Sequence, residues 1–517
     1  MKLMFDQIKK NTNILFLLLA VVVSIPSVAG LMHPGFPLTD DGNWMIIRFS
    51  SFYEELINGQ FPVRFLTRLN NGYGYPVADF LYPLFMYLGV PIHVLGFSFV
   101  DTVKIIFGGS VIASALFSFL WLRKIFGNIE SLVGSVVYTI FPYHLWNVYK
   151  RGSVGEVLAL SIVPFILWQI ERKNLFLTSV GLALLIVSHN TLALLFLPVI
   201  IGYMIIKKIN FRYQVLSMLL GLGLGAFFWI PAIYDLQYTV FNKTEVSNYK
   251  EYFINYSNVS LMGPIFFLAI FSGIFTFFKK KTKLFTYFFA FTILVFLITI
   301  PLSDFLWKSL LSNFVQFPFR LISVIILGVA FIASYQISIV QNKTKLIYSF
   351  VFIIVSFYSA QNFFYPSTFQ NYPDSFYSTN QATTTVKNEY MPKWVKEISA
   401  SIYAEKLEVI DGDGKVQNLF NNGNKISFNI FSPTDNEIQI NTVYFPGWKV
   451  KIDDREVPIS YSNSNGLIRF KIPQGSHMIR VSFSETSVRV LSDVISIGSI
   501  ILLFIIGFKK KLFHEFN

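Results

Sequence analysis

The chain has 517 residues, of which 53% are hydrophobic, 18% aromatic and only 14% charged, against roughly 25% charged in soluble domains. That balance excludes a soluble enzyme and assigns most of the chain to a membrane. The net charge of +13 does not call for nucleic acid, because Lys and Arg stand in short clusters between apolar runs; the lack of cysteine excludes disulfides, a thiolate nucleophile and cysteine-ligated zinc.

The first apolar run, 14–31, follows a basic stretch and contains Ser27, Ala29 and Gly30, which suit a signal-peptide cleavage site. We read it as a retained anchor, because apolar segments of spanning length recur at 79–98, 101–121, 131–149, 155–171, 174–189, 190–207, 213–234, 259–278, 284–301, 319–338, 345–361 and 489–507. The basic clusters Lys9–Lys10, Arg172–Lys173, Lys207–Lys208, Lys279–Lys281, Lys343 with Lys345, and Lys509–Lys511 predict cytoplasmic loops and cytoplasmic termini. Thirteen crossings would separate the termini. Either 79–98, which carries Asp79, Pro83, Pro91 and His93, dips and returns, or two short segments fuse; about twelve or thirteen crossings result.

Two hydrophilic regions interrupt this pattern, both on the side opposite the basic clusters. Residues 32–78 form the first extracytoplasmic loop, in which Trp44, Ile47, Phe52, Leu56 and Ile57 predict a helix lying on the interface and ended by Gly59 and Pro62. Residues 363–488 form an extracytoplasmic domain, irregular at first and mainly β from about 424. There Ile426, Phe428 and Ile430, then Ile438 and Ile440, Val450 and Ile452, Ile468, Phe470 and Ile472, and Ile479, Val481 and Phe483 alternate with polar residues between turns. Residues 1–362 are thus a membrane domain, and 489–517 a last membrane helix with a basic cytoplasmic tail. The expected fold is an α-helical polytopic membrane protein with a small extracytoplasmic C-terminal β-domain.

The span interiors are almost free of charge, whereas a transporter handling ions or protons needs ionisable groups there. Asp40, Asp41, Arg48, Arg64, Asp79, Lys150, Arg151, Glu156, Asp235 and Arg320 fall near span ends or in loops. Arginines and carboxylates at headgroup depth suit chemistry on a lipid-linked phosphate, the arginines binding phosphate and a carboxylate taking a proton. Two other readings stay open: interfacial Arg and Asp also terminate helices or snorkel, and "TDDG" reads as a helix start with Thr39 or Asp40 as the cap. Trp448 in "FPGWKV" is expected to pack the β-domain core or its contact with the membrane body.

The stretch "DDGNWMIIRFSSFYEELINGQFPVRF", continued by "NGYGYPVADFLYPLFMYLG", resembles the signature of 6-pyruvoyl-tetrahydropterin-synthase-related bacterial membrane proteins. These are close to YfhO-type proteins and belong to the GT-C superfamily of polyprenyl-phosphate-dependent glycosyltransferases. The matching positions are Asp40 or Asp41, Arg48, Gly59 to Arg64, Gly72 to Pro76 and Leu81-Tyr82-Pro83. They continue with "FPYHLWNVYKRGSVGE" (141–156), "VQFPFRLI" (315–322), "NEYMPKW" (388–394), "YFPGWKVKIDDREV" (444–457) and "IPQGSHMIRVSF" (472–483). The chain departs from the family at Trp44–Ile47, where a His is common, and shows one Pro in "FLYPLF". The synthase name carries no chemistry here, since the six His residues show no zinc-ligand spacing.

The resemblance implies a GT-C-like membrane glycosyltransferase working on the extracytoplasmic face. It would transfer a sugar with inversion from a polyprenyl-phosphate-linked donor to an envelope glycan, lipid or protein acceptor. Asp40 and Asp41 occupy the place of the superfamily's loop carboxylate, which acts as base at the mouth of the cavity. One can be the base and the other an orienting group or the ligand of a divalent cation, because adjacent like charges push their pKa values apart. Arg64, Arg151 and Arg320 are the candidates for the donor phosphate, and Arg48, Tyr82, His144 and Glu156 complete the expected site; no other cofactor is implied. The alternatives are a lipid or polysaccharide transporter and a non-catalytic scaffold in envelope assembly.

Overall fold

The computed structural model describes residues 2–241 and 248–508; it is mostly helical, with a small antiparallel β region near the C-terminal end of the chain. Among the described residues six helices are long and apolar enough to cross a membrane: Thr12–Met32, Phe99–Leu122, Val154–Glu171, Pro318–Ile339, Asn342–Phe363 and Ser487–Gly507. Two bent pairs, Phe211–Leu224 with Ala226–Tyr238 and Lys283–Thr299 with Pro301–Leu311, raise the number to eight if each is one span. Leu84–Val94, Leu175–Ser188, Asn190–Ile206 and Gly263–Lys279 are shorter apolar helices. Fewer helices therefore meet the length for a straight crossing than the twelve or thirteen expected. Leu84–Val94, for example, rises only about 16 Å, half a hydrocarbon core. The segment expected to cross at 131–149 is divided before Pro142 into the helices Asn128–Thr139 and Pro142–Trp146 and a π-turn, Asn147–Arg151. The basic tail expected at 509–517 lies outside the described residues.

Small residues let the helices approach closely. Ser110, Ser114 and Ser118 recur at every fourth position of Phe99–Leu122 and donate back to the carbonyls of Ile106, Ser110 and Ser114, so their hydroxyls are met within the helix. Every residue from Ile322 to Ile337 is buried, which makes this helix the axis of the bundle.

The helix expected at 213–234 breaks at Gly225 with a 67° bend. The backbone groups freed there are met from elsewhere. Ser496, on the helix Ser487–Phe508, accepts from the Phe227 N–H at 2.8 Å and donates to the Gly223 carbonyl at 3.0 Å, while Arg64 donates to the Phe227 carbonyl at 3.1 Å. Non-helical backbone at membrane depth persists only when protein satisfies it in this way.

The first loop carries strand β1 (Phe36–Pro37) and the helix Gly42–Ile57; β1 pairs with β2 (Phe369–Gln370). The helix is sunk into the protein and does not lie on the interface: Met45 to Phe52 are all buried, because Leu84–Val94, Phe99–Leu122 and the helix Asp374–Thr379 pack around it. Residues 365–400 are irregular apart from β2 and the helix Asp374–Thr379. They lie as a strap across the first loop, held where Arg68 donates to the Asn380 carbonyl at 3.2 Å and Asn71 N–H to the Gln381 carbonyl at 3.1 Å.

The β region comprises β3 (Leu407–Asp411), β4 (Lys415–Asn421), β5 (Lys425–Ser432), β6 (Asn436–Val443), β7 (Trp448–Ile452), β8 (Arg455–Val457), β9 (Leu467–Ile472) and β10 (Gly475–Phe483). They form an antiparallel five-stranded sheet, β4-β5-β10-β7-β8, and a three-stranded one, β3-β6-β9. The alternating residues named above point into one shared core, with Phe483 at its edge. Phe65 of the first loop and Phe80, just beyond it, enter the same core, Phe65 edge-on to Trp448 at 5.6 Å. A Cβ on Gly74 would stand 2.2 Å from the Phe65 ring, and its φ of +88° also favours glycine, so this "GYG" turn is what allows the ring to seat.

Candidate functional site

The aspartate pair is held by backbone hydrogen bonds to the π-turn. Asp40 N–H donates to the Lys150 carbonyl at 3.0 Å and Asp41 N–H to the Arg151 carbonyl at 2.8 Å. The turn can approach this closely because Gly152 follows it: a Cβ there would lie 2.4 Å from Thr39 Oγ1, and its φ is +72°. Thr39 Oγ1 accepts the Gly42 N–H at 3.1 Å and caps the helix, so neither aspartate side chain is used as the cap. Among the described residues, the side chains of Asp40 and Asp41 make no hydrogen bond or ion pair. Asp41 lines a cavity of about 520 Å³; Asp40 is exposed beside it. The protein mass around the Asp40 carboxyl, aided by the Asp41 charge and opposed by Lys150, raises its pKa above the ordinary aspartate value.

The floor of the cavity is built on Glu156, in the first turn of Val154–Glu171 and fully buried. Its Oε1 accepts from Arg151 Nη1 and, at 2.9 Å, from Arg320 Nε; its Oε2 accepts the Tyr143 hydroxyl at 3.1 Å. Arg320 Nη1 also donates to the Val315 carbonyl and Gln316 Oε1, both at 3.0 Å. Phe317 lies 5.2 Å from the Arg320 guanidinium and Phe319 5.4 Å from that of Arg151, which orients both planes. Two guanidiniums share one carboxylate and carry donors beyond those it accepts, so the floor presents a surplus positive charge to the cavity.

Arg48 lines another part of the wall. Its Nε donates to Thr384 Oγ1 at 2.8 Å and its Nη2 to the Thr384 carbonyl, which ties the helix Gly42–Ile57 to the strap. Tyr82 stacks on His189 at 4.8 Å. The strap contributes Lys387, Glu389 and Tyr390, and Trp44 and Tyr252 add aromatic surface.

Asp41, Arg48, Tyr82, Arg151 and Arg320 thus converge on one cavity, with Glu156 beneath it. Arg64 and His144 do not. His144 is fully buried with Nδ1 3.2 Å from the Tyr138 carbonyl, about 100° round the helix from Tyr143, which reaches Glu156. Arg64 faces the helix Ser487–Phe508, where it meets Glu485 at 2.9 Å, Asp79 at 3.2 Å and Asp493 at 3.4 Å; Arg489 joins them through Asp235 at 2.9 Å and Asp79 at 3.5 Å. These carboxylates take up Arg64, so the expectation that it binds the donor phosphate is replaced by a structural part. His189, Glu389 and Tyr390 were not singled out from the sequence. The polar trio Ser188-His189-Asn190, interrupting two long apolar runs, was the available signal for His189. Among the described residues no group of three or more His, Asp or Glu side chains could hold a metal ion, and no step is assigned to one.

No family model and no curated protein matches the chain, so membership of the pterin-synthase-related family is not shown. Fifteen solved chains do. The arabinofuranosyltransferase AftD from Mycobacteria aligns over 68% of this chain and 26% of its own, with 14% identity and a TM-score of 0.44. The Archaeoglobus fulgidus oligosaccharyltransferase tethered to an acceptor peptide with the NVT sequon aligns over 73% and 56%, with 12% identity and a TM-score of 0.44. AglB from the same organism, with an inhibitory peptide and a dolichol-phosphate, aligns over 75% and 57%, with 13% identity and a TM-score of 0.43. The chain therefore spans about a quarter of the mycobacterial protein and somewhat over half of the archaeal ones.

Proposed function

We propose that this membrane protein is a glycosyltransferase that moves a sugar from a polyprenyl-phosphate-linked donor to a hydroxyl acceptor on the extracytoplasmic face, with inversion. One observation carries the reading: the Asp41 carboxylate, without a hydrogen bond or ion pair among the described residues, opens onto the same cavity as Arg48, Arg151 and Arg320. Arg151 and Arg320, oriented by Glu156 and the Phe317–Phe319 pair, bind the phosphate oxygens and stabilise the charge that grows on them as the bond from phosphate oxygen to the anomeric carbon breaks. Asp41 takes the proton of the acceptor hydroxyl as that oxygen attacks from the opposite side of the sugar, which is what inverts the anomeric carbon. Trp44, Tyr252 and Tyr390 supply faces on which a sugar ring can stack. Asp40, outside the cavity, contributes its charge to the setting of Asp41.

The test is sugar release from radiolabelled polyprenyl-phosphate sugars by the purified protein in nanodiscs, beside Asp41→Asn and Asp40→Asn. Turnover lost in Asp41→Asn and retained in Asp40→Asn, with both variants folded, is the expected result. Donor binding without turnover across a broad donor panel would replace the enzyme reading with transport or a non-catalytic scaffold.

A further inference from the structure

His189 stands in the cavity wall at 5% exposure, and the reaction above gives it no part. Its Nδ1 accepts the Leu192 N–H at 3.3 Å, capping the helix Asn190–Ile206. A ring nitrogen that accepts leaves the proton of a neutral imidazole on the other one, Nε2. Stacking on Tyr82, with 25° between the rings, holds the plane so that Nε2 lies on the Glu156 side of the cavity. Glu156 Oε1 is 3.7 Å from it, beyond hydrogen-bond reach, and that oxygen already accepts from Arg151 and Arg320. Among the described residues no acceptor takes this N–H. Asn190 and Thr191, the first residues of the same helix, also line the cavity, so the positive end of its dipole faces the same space.

We propose that His189 Nε2–H is an uncharged donor to the phosphate oxyanion bound by Arg151 and Arg320, completing a three-residue phosphate site with the helix N-terminus behind it. This rests on the reading above in one respect, that the cavity takes a phosphate-bearing lipid. The charge count favours a neutral third donor. Arg48, Arg151, Arg320 and Lys387 against Asp41, Glu156 and Glu389 leave one surplus positive charge around the cavity, so it suits an anion without a further cation. Protonated His189 would add another buried charge to the empty cavity, whereas a neutral imidazole N–H adds a hydrogen bond without that penalty.

The experiment measures the Kd of farnesyl phosphate for the full chain in nanodiscs at pH 8, with thermal unfolding in parallel. His189→Asn keeps a side chain able to cap the helix but falls short of the cavity; His189→Gln carries an amide N–H to about the place of Nε2. The expected result is a Kd about tenfold weaker or more in His189→Asn, recovered to within about threefold in His189→Gln, with little change in melting temperature. An unchanged Kd in His189→Asn, alone or with a lowered melting temperature, would reduce His189 to a cap and overturn the proposal. Arg320→Gln separates the two levels. Binding weakened by Arg320→Gln but untouched by both His189 variants sinks the His189 inference alone, whereas no binding to the unaltered protein sinks the phosphate reading with it. Competition by inorganic phosphate or glycerol phosphate as potent as farnesyl phosphate would assign the site to a free phosphate or a bilayer headgroup, and would also overturn the proposal.

Discussion

Two buried arginine–carboxylate clusters lie in this molecule, and their charge balances run in opposite directions. At the cavity floor, Arg151 and Arg320 share Glu156. At the junction between the first loop, the bent helix at Gly225 and the helix Ser487–Phe508, Arg64 and Arg489 meet Asp79, Asp235, Glu485 and Asp493. A cluster with more carboxylates than guanidiniums has no use for an anionic ligand, and both of its arginines are ion-paired within the protein. A cluster with a surplus guanidinium, facing a cavity, has charge to spare for an anion. On the proposed reading the same residue type holds structure in one place and binds a ligand in the other, and the local ratio of charges tells them apart.

The comparison can be broken in several ways. Asp41→Asn should have the largest effect, a fall in turnover of about 10²–10⁴-fold with melting temperature unchanged, read by radiolabelled sugar transfer. An Asp41→Asn protein with full turnover would detach the cavity from catalysis. Arg64→Gln should act on stability: it leaves the fully buried Asp79 and the partly buried Glu485 and Asp493 short of a cation, at a cost of about 3–5 kcal/mol by denaturant unfolding. Substrate affinity of the folded fraction should stay as in the unaltered protein. Arg320→Gln should do the reverse, weakening farnesyl phosphate binding about 10–100-fold while costing less stability than Arg64→Gln, because Glu156 keeps Arg151. If Arg320→Gln proved the more destabilising and Arg64→Gln the weaker binder, the assignment of the clusters would be reversed.

A smaller effect sharpens the structural side of the comparison. Glu55, where the first loop meets the turn between β4 and β5, is pushed up to about 7 by burial, against the hydrogen bonds from Thr67 and Gln60. A carboxyl raised in the folded state holds a proton that the unfolded chain, titrating near 4.5, has released. Its stabilisation is thus complete below about pH 4.5 and lost as pH rises through about 7. Hydrogen-exchange protection of residues 60–75, corrected for intrinsic rates, should fall about tenfold across that interval and lose its slope in Glu55→Gln.

The β core and the existence of the apolar helices were legible in the sequence because burial there follows a short period: Ile426, Phe428 and Ile430 alternate, and long apolar runs announce themselves. The bend at Gly225 was not, since hydropathy runs unbroken through "LGLGLGAFFWIP" and the bend depends on a partner elsewhere in the chain. In the site, motif order indicated which residue types stand near the membrane surface but not where their side chains face. Arg64 and Arg320 matched motifs equally well, yet only the folded chain shows one enclosed by carboxylates and the other open to a cavity. Asp40 and Asp41 divide in the same way, since neighbouring residues at a helix start leave the chain in different directions. The far wall of the cavity came from a stretch with no periodicity at all, the strap carrying Glu389 and Tyr390, because its conformation is dictated by the loop beneath it.

Ser496 patches the Gly225 bend from 269 residues further along the chain than Phe227. In an unbroken helix the Phe227 N–H would pair with the Gly223 carbonyl, so Ser496 holds open a bend by bridging the two groups that the bend parts. The bend and the Arg64 cluster thus depend on one distant stretch of chain, 485–496, so a change there would loosen both at once.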